Sequence, residues 1–323
     1  MRAIHITETG GPDVLNVTEI DRPSPGPGEI LIEVAAAGVN FIDTYQRGGL
    51  YPMELPFTPG LECAGTVVEV GDGVDDFAIG DRVAASAGGG SYAEFRTVSV
   101  ETAIPVPDTV ELETAAAVLL QGMTAHYLAV DTYPLTAGDH CLVHAAAGGT
   151  GRLLVQMAKM AGATVWATVG TDEKAELARS AGADHAILYR EVDFADEIRR
   201  ISGEEKPLDV VYDGVGAAVF DASLGLLRKR GLMATFGNAS GPVDPISPLA
   251  LSAGGSLFLT RPTLFDYIAT REELLARAGA VFAMIADDSL DVRIDTTYPL
   301  DAAADAHRHL EERRSTGKIL LTP

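Results

Sequence analysis

The chain has 323 residues, 47% of them hydrophobic, with 34 glycines and a formal net charge of −22. That length suits two domains and that composition an ordinary globular α/β protein. No run of about 18 uncharged apolar residues occurs, which excludes a membrane-spanning helix, and the negative charge argues against nucleic acid or an anionic membrane as a partner.

Met1 to Ile6 carries a single arginine and no apolar signal region, so a cytoplasmic location is expected. Cys63 and Cys141 are the only cysteines, too few for a four-thiolate zinc site, and they read as structural thiols. The acidic balance fits either adaptation to a salt-rich cytoplasm or simply an acidic enzyme. A stability titration against KCl separates the two, because full stability without salt contradicts the first.

Taken in chain order, Arg22 to Gly28 holds closely spaced prolines and cannot be helical. Glu29 to Val34 alternates polar and apolar residues as a half-buried strand does. Gly65 to Val70 reads as a strand ending in the turn Gly71-Asp72-Gly73, and Gly80 to Val83 as a turn entering another strand. Leu112 to Val130 is expected to be helical, interrupted at Gly122. Strands and helices then alternate: strand Cys141–Ala145, a helix from Thr150, strand Thr164–Val169, helix Asp172–Ala181, strand Ala186–Leu188, helix Phe194–Ile201, strand Asp209–Asp213, helix Ala217–Leu227 and strand Leu232–Phe236. This rhythm predicts a parallel sheet with helices on both faces. Helix Arg271–Ile285, strand Thr297–Leu300 and helix Ala302–Arg314 follow, and Lys318-Ile319-Leu320-Leu321 suits a strand that rejoins the first domain.

The segment from Gly138 to Lys159 carries the most chemistry. An apolar strand enters the turn Ala145-x-x-Gly148-x-x-Gly151 and a helix leaves it. Small residues at that spacing permit a tight turn, close approach of a pyrophosphate and close packing of helix on strand. The helix N-terminus then offers free N–H groups and the positive end of its dipole to the phosphates. An NAD enzyme usually ends its second strand in an acid that binds the ribose 2′-hydroxyl. Here that strand ends Val169-Gly170-Thr171, with Lys174 next on and Tyr189-Arg190 further along. Cations and hydroxyls suit a 2′-phosphate, so NADPH is the expected cofactor. Asp172-Glu173 complicates this reading, but first-turn acids on the next helix account for them.

With these residues in view, the chain resembles a quinone oxidoreductase of the zeta-crystallin-like branch of the medium-chain dehydrogenases/reductases. The resemblance rests on Asn40-Phe41-Ile42-Asp43-Thr44-Tyr45, Gln121-Gly122-Met123-Thr124-Ala125, His144 to Gly151, Phe236 to Gly241 and Thr260-Arg261-Pro262, in the right order over nearly the whole length. It implies an α/β fold: a GroES-like β-rich catalytic domain from residues 1–122 and 263–323, and a Rossmann doubly wound domain from 123–262, with the nicotinamide in the cleft separating them. It also implies cofactor contacts at Phe41, Tyr45, Thr124, Tyr127, Gly149, Thr150, Gly170, Thr171, Lys174, Tyr189, Gly214, Phe236, Gly237, Asn238, Arg261, Pro262, Thr263 and Arg313. Gly214 departs from relatives that carry a hydroxyl there. Relatives are commonly homodimers, and Gly255 to Thr260 offers an edge strand for such an association.

Zinc alcohol dehydrogenases of the same superfamily carry Gly-His-Glu where this chain reads Gly60-Leu61-Glu62. Leucine has no lone pair for a metal, and the four-cysteine lobe is absent, so neither zinc site of those relatives can form and no metal is expected. Without a Lewis acid, a quinone or conjugated carbonyl needs less help than a plain ketone. The expected activity is therefore NADPH-dependent quinone reduction, with 2-alkenal or enone reduction, or a non-catalytic NADPH-binding role, as alternatives. Asn40, Tyr45 and Tyr51 are the candidates for contacting the acceptor; the ordinary alternatives are a turn residue and packed tyrosines. His307 and His309, two apart on a helix, are poor joint metal ligands. His144 is expected to end a buried strand with its imidazole satisfied, and Trp166 to lie in the core.

Overall fold

A computed structural model describes all 323 residues, which divide into two compact units: Met1–Leu120 with Ile268–Pro323, and Gln121–Tyr267. The first unit begins with the hairpin-like pair β1 (Arg2–Ile4) and β2 (Val17–Glu19), which are antiparallel. Next come β3 (Glu29–Val39), the seven-residue helix α1 (Phe41–Arg47), β4 (Glu62–Val70), β5 (Arg82–Ala85), β6 (Phe95–Ser99), β7 (Ile104–Pro105) and α2 (Leu112–Tyr127). β3 organises this unit. One edge pairs with β4 throughout; the other pairs with β6 through Glu29–Glu33 and with the chain's last strand through Ala37–Val39. Register shifts at Leu31/Ile32 and Val34/Ala36 in the pairing with β4 mark local bulges that bend a strand.

Helix α2 runs straight through Gly122, where an interruption was expected. A single glycine costs a helix only about 1 kcal/mol, and burial of Ala115 to Leu119, Met123 and Ala125 outweighs that.

The second unit is one parallel sheet of six strands: β8 (His140–His144), β9 (Thr164–Val169), β10 (His185–Leu188), β11 (Leu208–Asp213), β12 (Leu227–Thr235) and β13 (Phe258–Thr260), in the order β10-β9-β8-β11-β12-β13. That is the Rossmann order 3-2-1-4-5-6. Helices α3 (Gly149–Met160), α4 (Asp172–Ser180), α5 (Phe194–Ser202), α6 (Phe220–Leu224) and α7 (Pro248–Gly255) make the connections. α6 is far shorter than the expected helix over 217–227, because Gly225 closes it and Leu227 already belongs to β12. Trp166, Leu142, Val211, Met233 and Phe220 centre the core. β13 forms the sheet's outer edge, with Phe258 59% exposed.

The chain then returns to the first unit through α8 (Arg271–Ala286), β14 (Ile294–Pro299), α9 (Ala303–Glu311) and β15 (Lys318–Thr322). β15 lies between β14 and β3 in a seven-stranded sheet of order β14-β15-β3-β4-β5-β7, with β6 as the seventh strand, paired to β3.

Candidate functional site

The dinucleotide turn follows β8. Ala145 adopts φ +52°, and its carbonyl accepts from Gly148 N–H at 2.9 Å. The Gly148 carbonyl then accepts from Arg152 N–H at 2.8 Å, which starts α3. A Cβ on Gly151 would fall onto the Ala145 carbonyl and stand 3.0 Å from Ala146 Cα; a Cβ on Gly149 would strike the Gln121 carboxamide. The end of β8 therefore leaves no room for a side chain at Gly151, and Gln121 of α2 leaves none at Gly149. Gly149, Thr150 and Gly151 give α3 a first turn without acids, so no carboxylate competes for its unsatisfied N–H groups. Gly151→Val is expected to lower NADPH affinity at least about tenfold by displacing this turn. Titration calorimetry measures it, with circular dichroism as the control for folding.

Gly170 and Thr171 follow β9. Thr171 caps α4, its Oγ1 accepting from Lys174 N–H at 3.3 Å. Tyr189, beside them after β10, donates its N–H to the Val169 carbonyl at 3.1 Å. A Cβ on Gly170 would lie 2.9 Å from Tyr189 Oη and 3.4 Å from Arg190 Nε. A phenol and a guanidinium therefore overhang the strand end where an NAD enzyme keeps its acid. Tyr189-Arg190 was expected from the sequence to supply a hydroxyl and a cation at this corner, and both side chains lie beside Gly170.

Gly214 follows β11. Asp213 is buried, and its Oδ1 accepts from Val215 N–H at 2.7 Å and Gly216 N–H at 2.9 Å, fixing the turn. Burial pushes the Asp213 carboxyl up, opposed by those two N–H groups. Phe236, Gly237 and Asn238 follow β12; a Cβ on Gly214 would approach the Phe236 ring to 3.1 Å, so this glycine admits the ring against the backbone. Arg261, Pro262 and Thr263 follow β13. All six parallel strands thus deliver expected cofactor residues at their carboxyl ends, where open α/β sheets bind ligands.

Thr124 and Tyr127 lie on α2, both buried, with Tyr127 stacked on Tyr267 at 4.3 Å. His144 ends β8 with both nitrogens engaged, Nδ1 with Thr168 Oγ1 and Nε2 with Ser223 Oγ, each at 2.8 Å. Burial pushes this imidazole down to about 3. Both cysteines are buried free thiols, and burial pushes Cys141 up to about 12.

In the first unit, Asn40 and Asp43 form a capping box that starts α1, with Asp43 Oδ2 accepting from Asn40 N–H at 2.8 Å. Phe41 and Tyr45 are half-buried on this helix; the Tyr45 ring meets Tyr51 edge-on at 5.3 Å. Asn40 is 3% exposed. Its Nδ2 donates to Glu62 Oε1 at 2.8 Å and Gly38 O at 3.3 Å, and its Oδ1 accepts from Lys318 Nζ at 2.8 Å. Its amide donors are therefore spent inside the protein, which favours the turn role over donation to an acceptor. Arg313 is exposed past α9, at φ +58°.

His307 and His309 part company as their spacing requires. His307 is fully buried, while His309 meets Tyr298 Oη at 3.0 Å and Asp295 at 3.4 Å. No group of three His, Cys, Asp or Glu side chains is placed to hold a metal. The reading from sequence did not foresee Glu62 and Lys318, which pair while wholly buried. The available signal was a charged residue at the start of each of two largely apolar strands.

Residues 26–108 match the alcohol dehydrogenase GroES-like domain and 149–283 the zinc-binding dehydrogenase model. A quinone oxidoreductase of Salmonella typhimurium is 43% identical over 99% of both chains. The chain belongs to the quinone oxidoreductase family. Within it, the Escherichia coli quinone oxidoreductase solved with NADPH is 42% identical, with a TM-score of 0.97 over 100% of both chains. A 2-haloacrylate reductase from a Burkholderia species is 42% identical over 98% of both chains. This member of the family reads Gly60-Leu61-Glu62, and Leu61 offers no lone pair to a metal.

Proposed function

We propose that this chain is an NADPH-dependent, zinc-independent oxidoreductase that reduces quinones. The observation that carries the reading is the corner around Gly170, where Tyr189 Oη and Arg190 Nε overhang a strand end without an acid. It fits a 2′-phosphate, and the acid-free first turn of α3 fits a pyrophosphate. Bound NADPH supplies the hydride.

The chain's own residues supply position. The first turn of α3 would hold the pyrophosphate, Thr171, Lys174, Tyr189 and Arg190 would hold the 2′-phosphate, and the remaining strand-end residues would serve the nicotinamide half. Tyr45 and Tyr51 face the acceptor and donate to its oxygen, while Asn40 holds the start of α1. Lys174→Ala with Arg190→Ala is expected to weaken NADPH about 10- to 100-fold while sparing NADH, the magnitude of lost charge-assisted bonds. NADPH oxidation against quinones and 2-alkenals, in low and high salt, tests the activity; tight NADPH binding without turnover on any acceptor contradicts it.

The Burkholderia relative named a 2-haloacrylate reductase favours conjugated carbonyls as the second acceptor class. No helix is long and apolar enough to cross a membrane, and we place the protein in the cytoplasm. We assign it a homodimer formed through β13, whose Phe258 stands exposed, as does Leu249 of α7, 78% exposed. A monomeric mass in analytical ultracentrifugation contradicts that assembly.

A further inference from the structure

Four buried side chains of the first unit are hydrogen-bonded in series, and none belongs to the cofactor residues. Arg47 Nη1 lies 3.0 Å from His307 Nδ1; His307 Nε2 lies 3.1 Å from Tyr92 Oη; Tyr92 Oη lies 3.0 Å from Asp43 Oδ2. Chemistry fixes the direction of each bond. Arginine only donates, so Nδ1 accepts and the imidazole proton sits on Nε2. That proton is given to Tyr92, which gives its own to Asp43. The outer end is held where Glu311 takes Arg47 Nη2 at 2.6 Å and Nη1 at 3.1 Å. The four residues are between 0% and 4% exposed.

Asp43 and Arg47 are four apart on α1 and share one face, whereas Tyr45, two residues from each, lies on the other. A helix of seven residues has no stability of its own. Its direction must come from what grips it.

We propose that Asp43, Tyr92, His307 and Arg47 are positioning residues that set α1, and so Tyr45, for the acceptor, and that the setting is released when the Asp43 carboxylate takes a proton. This rests on the reading of Tyr45 as an acceptor contact. Around Asp43, Arg47 lies on its own helix, Tyr92 on the chain before β6, His307 on α9, Glu62 on β4 and Lys318 on β15. Burial raises the Asp43 carboxyl to about 7; the Asn40 N–H, Tyr92 and Lys318 oppose the rise, and Glu62 adds to it. Asp43 Oδ1 is buried without a partner. A proton on this carboxyl turns an acceptor of two bonds into a neutral group, and the series loses the charge at its inner end.

The test is the pH dependence of kcat/KM for a quinone acceptor, with NADPH affinity measured alongside by fluorescence. The wild type is expected to lose activity on the acid side of an inflection near 7, with NADPH affinity flat. Tyr92→Phe removes one bond to the carboxylate and is expected to move the inflection up by about one pH unit; Asp43→Asn is expected to abolish it. An inflection unmoved in Tyr92→Phe, or retained in Asp43→Asn, overturns the proposal. If no acceptor is reduced, the functional reading is what fails. The Asp43 carboxyl is then followed directly by carbon-13 NMR in the wild type and in Tyr92→Phe, where a titration near the ordinary aspartate value overturns the proposal and one near 7 that moves up supports it.

Discussion

Replacing Lys318 by methionine is expected to destabilise the unit of residues 1–120 and 268–323 by about 3–5 kcal/mol, the cost of leaving one half of a buried ion pair behind. Glu62 is 0% and Lys318 1% exposed. Glu62 Oε2 also accepts from Leu120 N–H of α2 at 2.6 Å, and its Oε1 from Asn40. Space for this cluster exists because residue 38 has no side chain: a Cβ on Gly38 would meet the Glu62 carboxylate, the Ala116 carbonyl and the Lys318 stem. Methionine keeps the volume of lysine but strands the carboxylate. The double variant Glu62→Gln, Lys318→Met carries no charge and is expected to recover most of the loss. Urea unfolding of the three proteins checks this; a single variant within about 1 kcal/mol of the wild type refutes it.

Acidification from pH 7 to 4 is expected to open the two units unequally. His144 and His307 are each pushed down to about 3, His144 by burial and His307 by burial and then Arg47. The unfolded chain therefore takes protons below about 6.5 that the folded chain refuses, so stability falls as pH falls through that window. At pH 4 each histidine accounts for about 3 kcal/mol. Asp43 acts with the opposite sign. Its folded value of about 7 lies above the ordinary 3.8, so the folded chain binds the extra proton, returning about 3 kcal/mol over the same range. His307 and Asp43 share the first unit and nearly cancel. In the second unit His144 is offset only in part by Asp213, which burial also raises. Hydrogen exchange read by mass spectrometry should show β8, β9 and α3 losing protection at pH 4 while β3, β4 and β15 keep theirs. Equal losses in both units, or loss in the first alone, would refute this balance.

How much of this was legible in the sequence depended on distance along the chain. The turn from Ala145 to Gly151, the missing acid after Val169 and the alternation of strands and helices are local patterns, and the parallel sheet and the expected NADPH followed from them, while the family came from the resemblance of several short motifs. The length of α6 was misjudged because Gly225 stops the helix only two residues before β12 begins, five residues earlier than the strand expected from Leu232. Gly122 misled in the other sense, since its neighbours' burial outweighs its local cost. Asn40 was recognisable as a turn residue or a contact, but its amide donors are assigned by Glu62, 22 residues on. Lys318 lies 256 positions from Glu62, and His307 215 from Tyr92. Nothing local announces such partners.

The place of β15 inside its sheet also has a consequence for how the protein is made. Strand β3 emerges from the ribosome well before its neighbour through Ala37–Val39, which lies about 280 residues further along the chain. At about 5–20 residues per second, those partners are separated by roughly 15–55 s of synthesis. The Rossmann unit is one uninterrupted stretch and can close during that wait. The other unit holds an open seam, with the carboxylate of Glu62 unneutralised, until Lys318 arrives. Nascent chains stalled before that lysine should be protease-resistant over residues 121–267 and cleavable through β3 and β4.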